Sequence, residues 1–459
     1  MEQPQQRLFS NKQLWMLIIP LILENNLGIL VGMVDGIMVS SVGEAAISAV
    51  SLVANISRVI LYLFSALAAG GAIVTSQFLG AKCKEDARHS AGQLMTMAVG
   101  VSVVLSGLLL IFRRQILLLF FGQIEADVLE AAVVYFSYSA YSYPFLALYN
   151  GCAAIMRTRG NSKVSLYVSL LRNVVNVAGN ALCIYGLKMG VEGVAIPTAI
   201  SRVVGAVVML AIVMRSDPSL RPRMEDIFHI QPKLMGRMLR VGLPTAFESS
   251  AFQLGKVLTL GMISGFGTYQ IAANSTANAL TGFVVTCVAS VRTASMTVIG
   301  QCVGARDETQ LNYYFRKLFT IAYAIHGVVA LLFLIFRYQL LGLYQNLSPE
   351  TVELAAKLLS IHLCSAIFLY PVAFFIASPL RAVNDSSFPM ILTIVTMVIF
   401  RLGLGRILCV ELEWGAVGVW VAMVVDWAVR GICLVTRWRS GVWKKKCNLT
   451  PLPQAKAQN

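Results

Sequence analysis

Charge is scarce in this sequence, and that scarcity excludes most protein classes. Only 13% of its 459 residues are Asp, Glu, Lys or Arg, against roughly 25% in soluble domains. Acidic residues are the rarer kind, 22 against 37 Lys and Arg, while 57% of the chain is apolar. A soluble protein of this size could not hide so much apolar surface, so lipid must cover most of it. Alternating ten-residue segments, the mark of a membrane β-barrel, are missing too. In their place stand unbroken runs such as Val99 to Phe112 and Ile321 to Phe336. The nine cysteines are scattered without a CxxC pair or metal-ligand spacing. There is no GxxxxGK[ST] loop, nucleophile elbow, HExxH or haem signature, so neither an enzyme nor a cofactor is expected. No small-residue cleavage site follows the polar N-terminus, and no cleavable leader is expected.

What remains is an all-α membrane protein. A span needs about 20 apolar residues, and charge or turn clusters divide the chain into twelve: 14–40, 47–78, 89–112, 129–156, 164–186, 191–214, 238–263, 270–302, 313–336, 353–380, 388–410 and 415–436. The net charge of +15 suggests nucleic acid as a partner, but the distribution of the basic residues argues against it. About 24 Lys and Arg fall in the N-terminus, the even-numbered loops and the tail, and about 5 in the odd-numbered loops. That asymmetry places both termini in the cytoplasm of a multi-pass plasma-membrane protein.

The chain also repeats itself at an offset of 224 residues. Pro20 to Glu24 falls on Pro244 to Glu248, Gly43 on Gly267, Gln77-Phe-Leu-Gly80-Ala81 on Gln301-Cys-Val-Gly304-Ala305, and Arg157 on Arg381. One residue out of phase, Gly190 to Val194 falls on Gly415 to Val419. The offset holds six spans, so two pseudo-symmetric six-helix lobes share one orientation, with a functional cleft between them near the midplane. The division is a cytoplasmic N-terminus (1–13), an N-lobe (14–214), a basic linker (215–236) with three prolines, a C-lobe (237–438) and a basic cytoplasmic tail (439–459).

A carboxyl group at membrane depth costs about 2.5 kcal/mol or more to insert, so its presence points to function. Asp35 in the first span is the sharpest candidate, because a desolvated carboxyl can exchange a proton. Glu24 shares its helix face, about 16 Å away along the axis. Glu248, the repeat mate of Glu24, follows Pro244, which can break a helix, and Lys256 two turns on could pair with it. Arg172, Asn176 and Asn180 recur every four residues and form one stripe. Asp426 and Arg430 have the spacing of an intrahelical ion pair. Tyr141, Tyr143, Phe368 and Tyr370, with Arg172, could line the cleft or simply pack.

Taken in order, these segments resemble the multidrug and toxic compound extrusion (MATE) family over about residues 10–440. The residues that carry the resemblance are Pro20, Val34-Asp35-Gly36, Gln77 to Ala81, Arg157 to Gly160, Gly190 to Ala199, Gly242-Leu-Pro244, Ile271 to Ala273, Gly300 to Ala305 and Gly415 to Trp420. The resemblance implies two six-helix lobes around a central cleft. It also implies export of cationic or amphiphilic small molecules in exchange for H+ or Na+, by a monomer. In the family an N-lobe cation site uses positions that here are Asp35, Asn176, Asn180 and Thr198, with Na+ at the same four residues as the alternative to a proton. Many members carry Asp where Asn180 stands, which lowers the negative charge and shifts the expectation toward protons. Glu248 matches a C-lobe site of one branch, but the tenth span has no mid-span acid to complete it, so coupling is expected in the N-lobe. Two other readings stay open. A flippase for a lipid or lipid-linked sugar would suit Arg58, Arg172, Arg202 and Arg292, and a transporter of an aromatic metabolite would suit the aromatic residues.

Overall fold

The computed structural model describes residues 7–122, 125–218, 220–344 and 347–447; the ends of the expected N-terminal segment and basic tail lie outside them. Twelve long helices run back and forth: α1 Asn11–Ser40, α2 Glu44–Gly80, α3 Lys84–Ile111, α4 Ala126–Thr158, α5 Lys163–Ala181, α6 Glu192–Met214, α7 Pro232–Ser264, α8 Thr268–Gly304, α9 Glu308–Ile335, α10 Pro349–Ala382, α11 Ser387–Glu411 and α12 Ala416–Arg439. Among the described residues no strand occurs. The helices extend the twelve expected spans by a few residues at most ends, and α7 starts at Pro232, inside the segment expected as linker.

Local chemistry sets the helix ends. Ser10 and Gln13 form a reciprocal capping box at the start of α1, with bonds of 2.7 and 3.2 Å. Asp307 caps α9, and Ser348 with Pro349 opens α10. Nine of the helices among the described residues are long and apolar enough to span a bilayer on composition alone. The other three are α4, α5 and α7; α5 carries the Arg172, Asn176 and Asn180 stripe, and α7 carries Glu248 and Lys256. Polar stripes in lipid turn toward the bundle interior.

The repeat is visible in the backbone. Lys82 after α2 and Arg306 after α8 have φ of 60° and 55°, and Gly160 after α4 and Asn384 after α10 have φ of 78° and 64°; both pairs lie 224 residues apart. At the end where α1 begins, α2 and α8 cross so closely that a Cβ at Gly80 would overlap the carbonyl of Gln301, and one at Gly304 that of Gln77. Gln77 Nε2 donates to Ala382 O at 2.9 Å, and Gln301 Nε2 donates to Thr158 O at 2.7 Å. Both the close contacts and these bonds are reciprocal under the pseudo-twofold.

The apolar cores explain how the lobes are joined. At the end where α1 begins, Leu14, Leu17, Ile18 and Leu21 pack with the C-lobe residues Val288, Val291, Tyr314 and Phe375. Leu234 and Met238 of α7 pack reciprocally with Leu67, Leu94 and Ile155 of the N-lobe. At the other end each lobe closes its own core: Met38 and Val39 return to α2, α4 and α6, and Ile263 returns to α8, α10 and α12. Helices α1 and α7 are therefore straps that change lobes midway. The lobes are locked together at one end and have separate cores at the other.

Pro244 does not break its helix. α7 runs continuously from Pro232 to Ser264, as α1 does through Pro20, and Thr245 Oγ1 back-bonds to Val241 O at 2.9 Å.

Candidate functional site

Asp35 lies on the second half of α1, where the strap has returned to the N-lobe, and it is half-buried. Asn180 Nδ2 of α5 donates to Asp35 Oδ1 at 3.0 Å. One turn earlier, Asn176 donates to both Asp35 oxygens at 3.0 Å and accepts from Thr198 Oγ1 of α6 at 3.1 Å. The network selects this amide orientation; the reverse would set the amide oxygen against the carboxylate. The four residues expected together thus form one constellation on three helices. The 3.6-residue period puts Asn176 and Asn180 on one face of α5, and Gly179 beside them presses against Pro197 of α6, where a Cβ would clash. Tyr135 packs beside Thr198, a neighbour that spacing did not reveal.

The cage holds one carboxylate, two amides and one hydroxyl. Among the described residues no three His, Cys, Asp or Glu side chains gather as a metal cluster. Asn180 Oδ1 is buried and has no hydrogen-bond partner among the described residues. Amides both donate and accept, so the cage can donate to an ionised carboxylate. With one amide turned, that orphan oxygen can accept from a protonated carboxyl or face a small cation.

The remaining candidates separate by chemistry. Glu24 accepts from Ser165 Oγ at 2.7 Å and Tyr149 Oη at 3.2 Å, so neighbouring hydroxyls hold it. Arg172 lies 4.9 Å above the Tyr149 ring, which joins it to that network. Glu248 does not pair with Lys256. It accepts from Arg381 Nη2 at 2.6 Å and Thr393 Oγ1 at 3.1 Å, because α10 brings Arg381 to α7, a tertiary approach that local spacing cannot display. Asp426 and Arg430 form the expected intrahelical pair at 2.9 and 3.0 Å, with Arg401 of α11 a third member at 3.6 Å.

Tyr141 and Phe368 are 61% and 69% exposed, whereas Tyr143 and Tyr370 are 0% and 6% exposed. Tyr143 bonds Ser57 at 2.8 Å, and Tyr370 stacks on His326 and Phe374. Those two pack inside their lobes and do not line an open face.

Two straps, paired six-helix lobes and a polar constellation shared by three helices of one lobe define a multi-pass membrane transporter. The chain belongs to the MatE family: the family model matches it twice, over residues 20–182 and 244–407, once per lobe. It is 27% identical to "Uncharacterized transporter YisQ" of Bacillus subtilis (strain 168), over 97% of both chains. It is 26% identical to "Probable multidrug resistance protein YoeA" of the same strain, over 97% of this chain and 98% of the relative. Among solved structures, the outward-facing conformation of a multidrug resistance MATE family transporter superposes with a TM-score of 0.87 at 21% identity, covering 94% of this chain and 96% of that one. The chain is a transporter and not an enzyme.

Proposed function

We propose that the chain is a proton-coupled antiporter that exports small amphiphilic organic molecules by alternating access, with Asp35 as the coupling group and both termini in the cytoplasm. The observation that carries this reading is the Asp35 cage, whose amides can satisfy the carboxyl group in either protonation state. Two amides, with a hydroxyl behind one of them, in place of a second carboxylate favour a proton over Na+, since hard cations are held chiefly by several oxygens and by charge. In the outward state the carboxyl takes up a proton, loses its charge, and no longer holds α1 against α5 as strongly. A cation drives the cycle only if the two states differ in affinity for it. The multidrug-resistance name of one relative supports the efflux direction.

Asp35→Asn is expected to abolish proton-gradient-driven transport in proteoliposomes, a loss of at least about tenfold, while circular dichroism and thermal unfolding stay near wild type. Full transport by that variant would refute the assignment. Asn180→Asp restores a second carboxylate, and a Na+ gradient should then drive transport. If a Na+ gradient drives the wild type equally well, the preference for protons is wrong.

A further inference from the structure

The C-lobe holds more positive charge at membrane depth than it can pair. Lys256 on α7, Arg292 on α8, Arg381 on α10, Arg401 on α11 and Arg430 on α12 sit at membrane depth with Glu248 and Asp426 as their counter-charges. Both carboxylates are already engaged, Glu248 by Arg381 and Asp426 by Arg430 and Arg401. Lys256 and Arg292 form no ion pair among the described residues; Arg292 Nε reaches only Ser378 Oγ, at 3.3 Å. Arg381, Arg401 and Arg430 are 3%, 3% and 2% exposed. Even so, Arg381 Nε, Arg401 Nε and Nη2, and Arg430 Nε have no hydrogen-bond partner among the described residues. Buried cations are ordinarily paired, because leaving one uncompensated costs several kcal/mol.

Aromatic rings stand among these cations. Phe252 of α7 lies 5.0 Å from the Arg401 guanidinium, 6.0 Å from that of Arg430 and 5.4 Å from Lys256 Nζ, and Phe374 lies 5.1 Å from Arg430. Phe374 belongs to, and Phe252 packs against, the apolar cluster that Leu14, Leu17, Ile18 and Leu21 of α1 share with the C-lobe, and Lys256, one turn beyond Phe252 on α7, is exposed. The region therefore borders the interface between the lobes.

We propose that this basic, aromatic-walled face of the C-lobe is the substrate-binding surface of the cleft, and that the transported molecule is an aromatic anion. A carboxylate, sulfonate or phosphate group would accept from the exposed Lys256 ammonium and the half-buried Arg292 guanidinium, with the buried arginines adding to the positive field, while its ring stacks beside Phe252. The inference rests on the exporter reading and reverses the substrate charge that the family resemblance implies. It separates the two jobs between lobes: the N-lobe acid handles the coupling ion, and the C-lobe cations handle the cargo.

The test uses two dyes with the same xanthene ring and opposite charge, fluorescein and rhodamine 123. Binding of each to the purified full-length protein in phosphatidylcholine nanodiscs is measured by fluorescence anisotropy. Fluorescein is expected to bind more tightly than rhodamine 123. The double variant Lys256→Gln/Arg292→Gln should weaken fluorescein at least about tenfold without weakening rhodamine 123. If that variant unfolds at a lower temperature, the single variant Lys256→Gln carries the test, since this side chain is exposed and forms no ion pair among the described residues. Tighter binding of rhodamine 123, or unchanged fluorescein affinity in the variant, overturns the proposal. Loss of fluorescein binding when phosphatidylglycerol is added assigns the site to a lipid headgroup and also overturns it. Gradient-driven uptake into proteoliposomes keeps the two readings apart. Fluorescein that binds but is never transported sinks the exporter reading alone, whereas transported rhodamine 123 with no fluorescein binding sinks this inference alone.

Discussion

The two lobes share a frame and differ in charge, and the difference falls on corresponding positions. Asp35 in the N-lobe accepts from two amides, one of which the Thr198 hydroxyl holds in turn. Its repeat mate in the C-lobe is Thr259, a buried residue whose hydroxyl bonds the Lys256 carbonyl at 2.9 Å. Conversely, Glu24 is held by hydroxyls, whereas its mate Glu248 is gripped by an arginine. A carboxyl among neutral partners can gain or lose a proton with only a rearrangement of hydrogen bonds. A carboxyl paired with a buried guanidinium cannot, because protonation would strand the cation. Under the proposed coupling at Asp35, the N-lobe exchanges charge and the C-lobe holds it fixed.

The lobes also differ in helical winding. Gly160 and Asn384 mark an offset of 224 residues, but the π-helical turns Leu182–Gly186 and Ile407–Glu411 lie 225 apart. Between these points the C-lobe has an extra π stretch, Met397–Leu404, with no counterpart in α5. A π turn absorbs one inserted residue, and Arg401 lies in it. At the 225 offset Arg401 stands where the N-lobe has Asn176. The insertion therefore puts a cation at the position where the other lobe has a cage amide.

The largest effect that would sharpen this comparison is expected from Glu248→Gln. It leaves Arg381, with a side chain 4% exposed, beside a neutral partner. Breaking a buried pair in this way costs about 3–5 kcal/mol, and thermal unfolding in detergent should show a drop of several degrees. An unchanged midpoint would mean that Glu248 is as free as Asp35, and the contrast between the lobes would fail.

The glycines at the crossing test the symmetry of the frame. Gly80→Ala and Gly304→Ala each push a methyl group into a facing backbone carbonyl that cannot rotate away. Overpacking of this kind costs about 1–3 kcal/mol, and the two variants should lose stability by similar amounts. A large loss in one and none in the other would show that the α2–α8 crossing is not a true pseudo-twofold contact.

Much of the frame was legible in the sequence because it rests on local signals. Span lengths follow from bilayer thickness, and the repeat appears as residues in register, with Gln77 to Gly80 and Gln301 to Gly304 the strongest pair. The four residues of the Asp35 cage came from the family resemblance, and the polar stripe on α5 supported them by its period alone. What the sequence concealed was set by tertiary packing. Lys256 looked like the partner of Glu248 because it lies two turns away on the same helix, yet Arg381 arrives from a helix more than a hundred residues on. Arg401 and Asp426 meet across α11 and α12, a contact between helices that spacing along the chain does not display. The strap behaviour of α1 and α7 was hidden too, since an apolar run reads the same whether it packs with its own lobe or the other.

The smallest expected effect, and the most informative control, is Glu24→Gln. Glu24 and Glu248 are repeat mates on strap helices, so position in the fold is held constant while the partners differ. Ser165 and Tyr149 donate to Glu24 through hydroxyls, and an amide oxygen can accept the same bonds. The substitution strands no cation, because Arg172 lies over the Tyr149 ring rather than against the carboxylate. The cost should be about that of weakening one or two hydrogen bonds, roughly 1 kcal/mol, with proton-driven transport retained. Thermal unfolding and proteoliposome transport, run beside Glu248→Gln, give the comparison directly. If Glu24→Gln destabilises as much as Glu248→Gln, the partners do not decide the behaviour of these acids. If it abolishes transport, the coupling path extends from Asp35 down α1 to Glu24, and the N-lobe uses two acids where the cage alone suggests one.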